Sequence, residues 1–522
     1  MRSVFHRERR GLAVPVAFVS KNSARPKPFL SSPEHCVSQS LARTCKARSF
    51  LSSADSGEFF NVQQYDQGSY GAGAYGEDGP AYQGNLRKGE LRGIIHINKE
   101  HCVGCDTCSK FCPVNAIEGG LGAKHHIIED ACLYCGQCLI ACPFDAIEQM
   151  SFVDQVEKVL ADKSRLCVAH PSPAVRVSIC EEFGGKPGEL TTEQLSNALE
   201  AVGFQVYDCN STADQTILEE GTEFVKKARY WLLGERSEEV NEMAEHPFPH
   251  FTSCCPAWVK NMETNHADLI PHVSTAKSPL QMGGALAKTW GAKFLWKCDP
   301  RKIFFVSVTP CTAKIFEAAR PEMNQGWHWA KEQGMIPADA PSYQDIDACL
   351  TARDLAELFR RKGVNPLKMD KKRERGTLEI YTGAGTIFGV SGGVMEAALR
   401  TAYFVLAGEE LKNADIEIVR GHNNAIVEAT IPVPIKAKGG QTVDIRICVV
   451  NGANQGLEEV LHRVRLDKNR YHFIEVMNCP GGCVNGGGQP QVRGSVRNFT
   501  DIRAIRAKAL YDNDAAKPIR KS

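Results

Sequence analysis

Two runs of cysteine constrain this 522-residue chain more than any other feature. Cys102, Cys105, Cys108 and Cys112, followed by Pro113, spell C-x2-C-x2-C-x3-C-P, and Cys132, Cys135, Cys138 and Cys142, followed by Pro143, repeat the pattern 30 residues later. A cube of iron and sulfide needs four thiolates converging from different directions. A short loop with cysteine at every third position wraps one side and supplies three of them. The fourth comes from elsewhere, so the Cys-Pro cysteine of each run serves the other run's cluster. This predicts two [4Fe-4S] clusters, one held by Cys102, Cys105, Cys108 and Cys142, the other by Cys132, Cys135, Cys138 and Cys112. Paired zinc sites are the competing reading, but zinc's usual signature is two separated C-x2-C pairs, not a doubled triplet with a trailing Cys-Pro. Residues 94–150 are therefore expected to form a small α+β domain, too small for a sufficient core and stabilised by its clusters. Two adjacent clusters conduct electrons and do not by themselves choose a reaction.

This segment resembles bacterial-type two-cluster ferredoxins. The rest of the chain is of ordinary globular composition, 43% hydrophobic and 24% charged, and its 21 cysteines are bunched, which points to metal and away from a secreted disulfide scaffold. A formal net charge of +1 gives no electrostatic reason to expect nucleic acid or an anionic membrane as partner. No run of 18 apolar residues exists, so no membrane-spanning helix is predicted. The first 50 residues carry ten Lys/Arg against Glu8 and Glu34 and are rich in Ser, the composition of an organellar transit peptide, here assigned to residues 1–55 as a disordered leader. A plain basic tail is the alternative. A mitochondrion or hydrogenosome is the expected compartment, with a chloroplast as the alternative. Residues 56–93, rich in Gly, Tyr and Gln, read as a flexible linker.

Residues 151–522 alternate apolar strand-like runs with amphipathic helices, which predicts an α/β domain. Strands are expected at Phe248–Thr252, Ile303–Val308 and Phe473–Met477, and helices over Thr351–Lys362 and Gly393–Leu406. A cysteine motif follows each of these strands: TSCCPAW from Thr252, TPCTAK from Thr309 and MNCPGGCVNGGGQP from Met477. Groups gathered at the carboxyl ends of strands lie where an open α/β sheet offers its binding crevice.

On these three motifs the chain resembles the [FeFe], or iron-only, hydrogenases over roughly residues 90 to 522. The resemblance implies an α/β catalytic domain of two lobes around an H-cluster, in which a [4Fe-4S] cube is joined through one thiolate to a di-iron unit carrying CO, cyanide and a dithiolate. By motif, the cube's ligands are Cys255, Cys311, Cys479 and Cys483, with Cys483 bridging. Ser172, Pro173 and Met477 are expected to line the di-iron unit. Adjacent side chains on an extended chain point to opposite sides, so Cys255 can hold the cube while Cys254 faces the di-iron unit as a proton donor. Lys314, three residues after Cys311, is expected to donate to an iron-bound cyanide. The family's proton relay maps onto Glu223, Ser274 and Glu220, delivering from solvent to Cys254 in that order. Gly481, Gly482 and Gly486–Gly488 are expected to let backbone approach the cofactor.

Taken singly, Lys314 and the Glu220/Glu223 pair would read as solvated helix residues and Cys254 as an inert buried thiol. The motifs reverse that. Cys167, Cys180, Cys209, Cys298, Cys349 and Cys448 have no such context and read as core cysteines. Thr309 stands where the family usually has Met, which predicts a wetter site of altered potential or oxygen tolerance. Two stretches, Ala228–His246 and Asn324–Ser342, read as inserted surface loops. The chain ends at Arg520-Lys521-Ser522, where relatives continue into a helical tail or use a separate small subunit, so such a subunit is a candidate partner. The remaining partners implied are ferredoxin, or a similar electron carrier, and dedicated maturation proteins. Intact motifs weigh against two related functions, a non-catalytic iron–sulfur assembly protein and a hydrogen sensor.

Overall fold

The computed structural model describes residues 93–411, 419–420 and 424–522; the leader and all of the linker but Gly93 lie outside the described residues. From Ile94 the chain builds a small domain in two similar halves. Strand β1 (Ile95–Ile97) pairs antiparallel with β4 (Ile147–Gln149), and β2 (Ile117–Glu118) with β3 (His126–Ile127). Each half has a short helix, Thr107–Phe111 and Gln137–Ala141, entered through a left-handed residue, Asp106 at φ 61° and Gly136 at φ 70°. Those turns close the three-cysteine loops. Strands this short bury little, and the core residues here, such as Ile95, Leu133, Leu139 and Ile147, run on into the core of the following domain.

The larger domain holds two four-stranded sheets. The first has the order β6 (Gln205–Val206), β5 (Leu166–Pro171), β8 (Ile303–Thr309), β9 (Ala348–Thr351), all parallel. Its central strand β8 is buried along its whole length, as its mainly apolar run IFFVSV requires of a strand covered on both faces. The second has the order β10 (Ile426–Ile435), β11 (Gln441–Asn451), β12 (Phe473–Met477), β7 (His250–Phe251), in which β10 and β11 are antiparallel and β11, β12 and β7 run parallel. The carboxyl ends of β5, β7, β8 and β12 deliver Ser172, Cys254, Cys311 and Cys479 in turn. The α/β class expected from the alternation of elements is the fold observed.

Local sequence accounts for the helices that carry the site. Thr351 caps the helix Ala352–Arg361 through a reciprocal bond with Asp354, which sets the start that the sequence indicates. Helix Gly393–Ala407 is bracketed by Gly392 at φ 85° and Gly408 at φ 75°. Its first turn is also capped from the sheet: Glu475 on β12 accepts from the Gly392 and Met395 amides, each at 2.6 Å. The strand expected over Phe248–Thr252 is shorter, because only His250 and Phe251 find partners on β12.

Two expectations need correction. Ala228–His246 is not a loop: residues Ala228–Leu232 continue the preceding helix with wider turns, and Glu238–Asn241 and Glu242–Glu245 are helical. Arg229 clamps this segment on Glu235 and Glu239. In the second stretch Gln325–Glu332 is a helix whose Ala330 packs with Ile336 and Ala340 in a small core of its own. After the third motif the chain also forms a helix, Ile502–Ala515, tied down by Arg506 on Glu181 and by Asp514 on Arg400 and Arg520. Among the described residues no helix is long and apolar enough to cross a membrane.

Candidate functional site

In the small domain the cysteines gather as spacing predicted. Cys102, Cys105, Cys108 and Cys142 line one hollow, and Cys112, Cys132, Cys135 and Cys138 line another. The Cys-Pro cysteine of each run thus sits with the other run's triplet. Burial pushes the thiols of Cys132 and Cys135 up to about 12, so as free thiols they hold their protons. Only a positively charged, thiophilic centre would draw four such thiolates together. Among the described residues no three His, Cys, Asp or Glu side chains are placed to hold a single metal ion, whereas a cluster spreads its ligands more widely. Sets of four thiols with no oxygen ligand fit [4Fe-4S] clusters.

A third set forms between the two sheets of the larger domain. Cys255, Cys311, Cys479 and Cys483 lie close enough that Cys255 and Cys311 both raise the thiol pKa of Cys479 and of Cys483. Burial is the larger cause, and Cys311 is pushed to about 12. Cys135 adds to the shift of Cys311 and of Cys479, so the second set of the small domain adjoins this one. The contact between the domains is tight. Thr312 donates to the Tyr134 carbonyl at 2.5 Å, Gln137 to the Asn485 carbonyl at 2.9 Å, and Gln149 to the Asp354 carboxylate at 3.0 Å.

The glycines of the third motif serve this packing. A Cβ on Gly487 would lie 2.2 Å from the Cys135 carbonyl, one on Gly486 2.3 Å from the Pro310 carbonyl, and one on Gly488 2.9 Å from the Pro310 carbonyl carbon. Gly482, at φ 87°, abuts the Ser391 amide, and Gly481, also at φ 87°, lies against Arg503. Their nearest protein neighbours show that these glycines also let backbone pack closely on backbone.

Cys254 and Cys255 diverge as neighbours on extended backbone do: Cys254 packs on the core that includes Met477 and Phe473, Cys255 on the two others. Lys314, on helix Ala313–Ala318, donates to the Cys254 carbonyl at 3.0 Å and pairs with Glu317 at 2.7 Å. That pair is nearly buried, and Glu317 keeps the ammonium charged against the cost of burial. Burial and the nearby Glu220 hold the Cys254 thiol well above its ordinary value, and Lys314 opposes them. Thr309, fully buried at the end of β8, turns its hydroxyl to accept from the Cys311 amide at 3.3 Å. That bond uses one lone pair of the hydroxyl. Ser172 and Pro173 open the helix that follows β5, and Met477 is buried at the last position of β12.

Of the expected relay, Glu223 accepts from the Ser274 hydroxyl at 2.9 Å and from the Thr275 amide at 3.0 Å. Glu220, one turn earlier on helix Cys209–Lys227, is fully buried, and burial with Glu223 and Glu475 beside it raises its carboxyl to about 8. Glu223 is not at the surface: it is only 9% exposed, with Lys227 3.6 Å away and wholly buried. The first step from solvent is therefore longer than the sequence suggested. Sequence reading placed Glu317 one turn after Lys314 without giving it a role, and missed Lys227 and His250. The i, i+3 spacing of Lys314 and Glu317 was a signal available for the first; nothing in the sequence marks the partner of His250. Of the six cysteines assigned to the core, five are buried and Cys298 is only half-buried.

Comparison with known proteins agrees with this geometry. The family "Iron only hydrogenase large subunit, C-terminal domain" matches residues 165–487, and "4Fe-4S dicluster domain" matches residues 94–150. The chain is 44% identical over 404 residues to the periplasmic [Fe] hydrogenase large subunit of Nitratidesulfovibrio vulgaris, which spans 77% of this chain and 87% of that protein. It is 29% identical over 351 residues to cytosolic iron-sulfur assembly component 3 of Pongo abelii, 66% of each chain. Among solved structures, a variant of the [FeFe]-hydrogenase HydA1 from Chlamydomonas reinhardtii matches with a TM-score of 0.57 at 31% identity, covering 71% of this chain and 91% of that one. The chain is an oxidoreductase of the iron-only, or [FeFe], hydrogenase family, with an iron–sulfur dicluster domain ahead of its catalytic domain.

Proposed function

We propose that the protein catalyses 2H+ + 2e− ⇌ H2 and exchanges electrons with ferredoxin, or a similar carrier, through two [4Fe-4S] clusters. The observation that carries this reading is the third cysteine set: four thiols delivered from the ends of β7, β8 and β12, with a fifth, Cys254, turned away from them beside Lys314 and Glu220. Cys255, Cys311, Cys479 and Cys483 would hold the H-cluster, and Cys483 would bridge to its di-iron half. When bound, that group supplies the metal at which protons and electrons combine. Ser172, Pro173 and Met477 would line it, and dedicated maturation proteins would install it.

The chain's own residues would then manage protons and exclude water. The Lys314 ammonium, kept charged by Glu317, stands ready to hold an anionic ligand by charge-assisted bonds. Cys254 Sγ would pass the proton, and Glu220, protonated at neutral pH by its burial, would reload it. Ser274 joins Glu220 to Glu223 in the proposed order. A role in iron–sulfur assembly, as named for the Pongo abelii relative, would need the cysteines but not this proton machinery.

The test is Cys254→Ala. Iron content and cluster absorbance should match the unmodified protein, while hydrogen evolution from a reduced dye should fall by about 10²–10⁴-fold. Undiminished turnover would reject Cys254 as the proton donor.

A further inference from the structure

Beside Glu220 lies a group of buried polar atoms that the relay as drawn does not use. Neither ring nitrogen of His250 and not Lys227 Nζ has a hydrogen-bond partner, the Glu220 carboxyl has only the Ser253 amide and the Ser274 hydroxyl beside it at more than close hydrogen-bond length, and all three residues are wholly buried. His250 Nε2 stands 3.9 Å from Glu220 Oε1, beyond hydrogen-bond length but within one carboxyl rotation of it. The imidazole itself is fixed. The His250 amide donates to the His472 carbonyl at 2.9 Å, and its ring packs edge-on against the stacked pair Phe224 and Phe473, with centroids 5.9 Å and 5.0 Å away. Apolar contact of this kind holds a ring in place and leaves its nitrogens to face whatever polar group is near. That group is Glu220.

The charges around the pair favour a neutral ring. Lys227 on the same helix as Glu220, and the half-buried His246 ahead of β7, both disfavour the imidazolium, as does burial. Glu223, from one turn along the helix, Glu475 from β12 and Cys254 from beyond β7 act on the Glu220 side. His272, from the segment Ala267–His272, faces Lys227. A neutral imidazole carries one proton and one lone pair. A protonated carboxyl needs an acceptor, and the lone pair of Nε2 is within its reach.

Resting on the reading of Glu220 as a relay group, we propose that His250 is its positioning residue: Nε2 accepts a hydrogen bond from the protonated carboxyl and holds it loaded. Once the proton has passed to Cys254, the carboxylate gains nothing from a lone pair and turns to the Ser274 hydroxyl for the next one. His250 keeps its own proton at Nδ1 throughout, so no net charge moves onto the ring.

The test compares His250→Phe, which fills the same space without an acceptor, with His250→Gln, which restores one; His250→Leu stands in should the Phe variant not fold. Infrared difference spectra of the iron-loaded protein report the carbonyl stretch of the Glu220 acid, identified by its loss in Glu220→Gln. In His250→Phe the band should move to the higher frequency of a free acid, and in His250→Gln it should stay near its original place. The alkaline limb of the hydrogen-evolution pH profile should fall to lower pH in His250→Phe alone, by roughly a tenfold change in proton affinity. An unmoved band in His250→Phe, or equal shifts in both variants, overturns the proposal while leaving the relay in place. Full turnover in Glu220→Gln removes the relay and the proposal together.

Discussion

Residues 94–150 draw each set of four cysteines from two neighbouring loops, between strands of two or three residues. The catalytic domain draws its set from positions as far apart as Cys255 and Cys483, on the ends of strands up to seven residues long that are already buried in sheets. One region has too little core to fold around its thiols without help; the other builds the framework first and brings thiols to it. The difference teaches that a cluster can be either the core of a domain or its guest. In this chain the two cases touch, across Gly487 and the Cys135 carbonyl.

The largest expected effect separates the two cases directly. Chelation of iron should abolish the folded state of residues 94–150, because metal binding there supplies the folding free energy, while the catalytic domain keeps its structure. Limited proteolysis of the iron-free protein should cut within 94–150 and leave a resistant fragment beginning near residue 151. Resistance of both regions, or loss of both, would break the comparison.

A second effect probes how far the catalytic site is built in advance. Lys314→Met leaves Glu317 charged and nearly buried without its partner, and loss of one member of a buried pair costs about 3–5 kcal/mol. The loss should appear in denaturant unfolding of the iron-free protein, and adding Glu317→Gln should restore most of it. No loss without iron would mean that the pair forms only around the cofactor.

The contrast also explains what the sequence made legible. Contiguous cysteine runs state their own geometry, so the crossed ligand sets could be read from spacing alone. The strands at Ile303–Thr309 and Phe473–Met477 announce themselves because burial on both faces leaves them mainly apolar, with Ser307, Thr309 and Glu475 as the buried polar exceptions. What depended on distant packing was hidden. That Gly487 clears the Cys135 carbonyl shows only in the fold. Glu223 looks exposed in the sequence and is buried in the fold, and the turns after Lys227 read as a loop because Gly234, Glu and Ser interrupt their apolar pattern. His250 is an isolated residue in a short strand, and only its 3.9 Å approach to Glu220 gives it a role.

The last effect concerns pH. The Glu220 carboxyl titrates near 8 in the folded protein and near its ordinary 4.5 when unfolded, so the folded state binds the extra proton between those values. Its contribution to stability therefore falls as pH rises from about 4.5 to 8 and is level above that. Glu220→Gln removes the dependence: the variant should match the unmodified protein at pH 4.5 and gain on it steadily up to pH 8 in thermal unfolding. A constant difference across that range would show that the carboxyl is not held protonated.

Infrared spectroscopy of the matured protein tests the central claim most directly, that Cys255, Cys311, Cys479 and Cys483 hold one cluster joined to a di-iron unit with Cys254 left free. Stretching bands of metal-bound CO and cyanide are expected in the unmodified protein and in Cys254→Ala, and should vanish in Cys483→Ala. Their absence from a protein with all its clusters in place, or their survival without Cys483, would contradict the account.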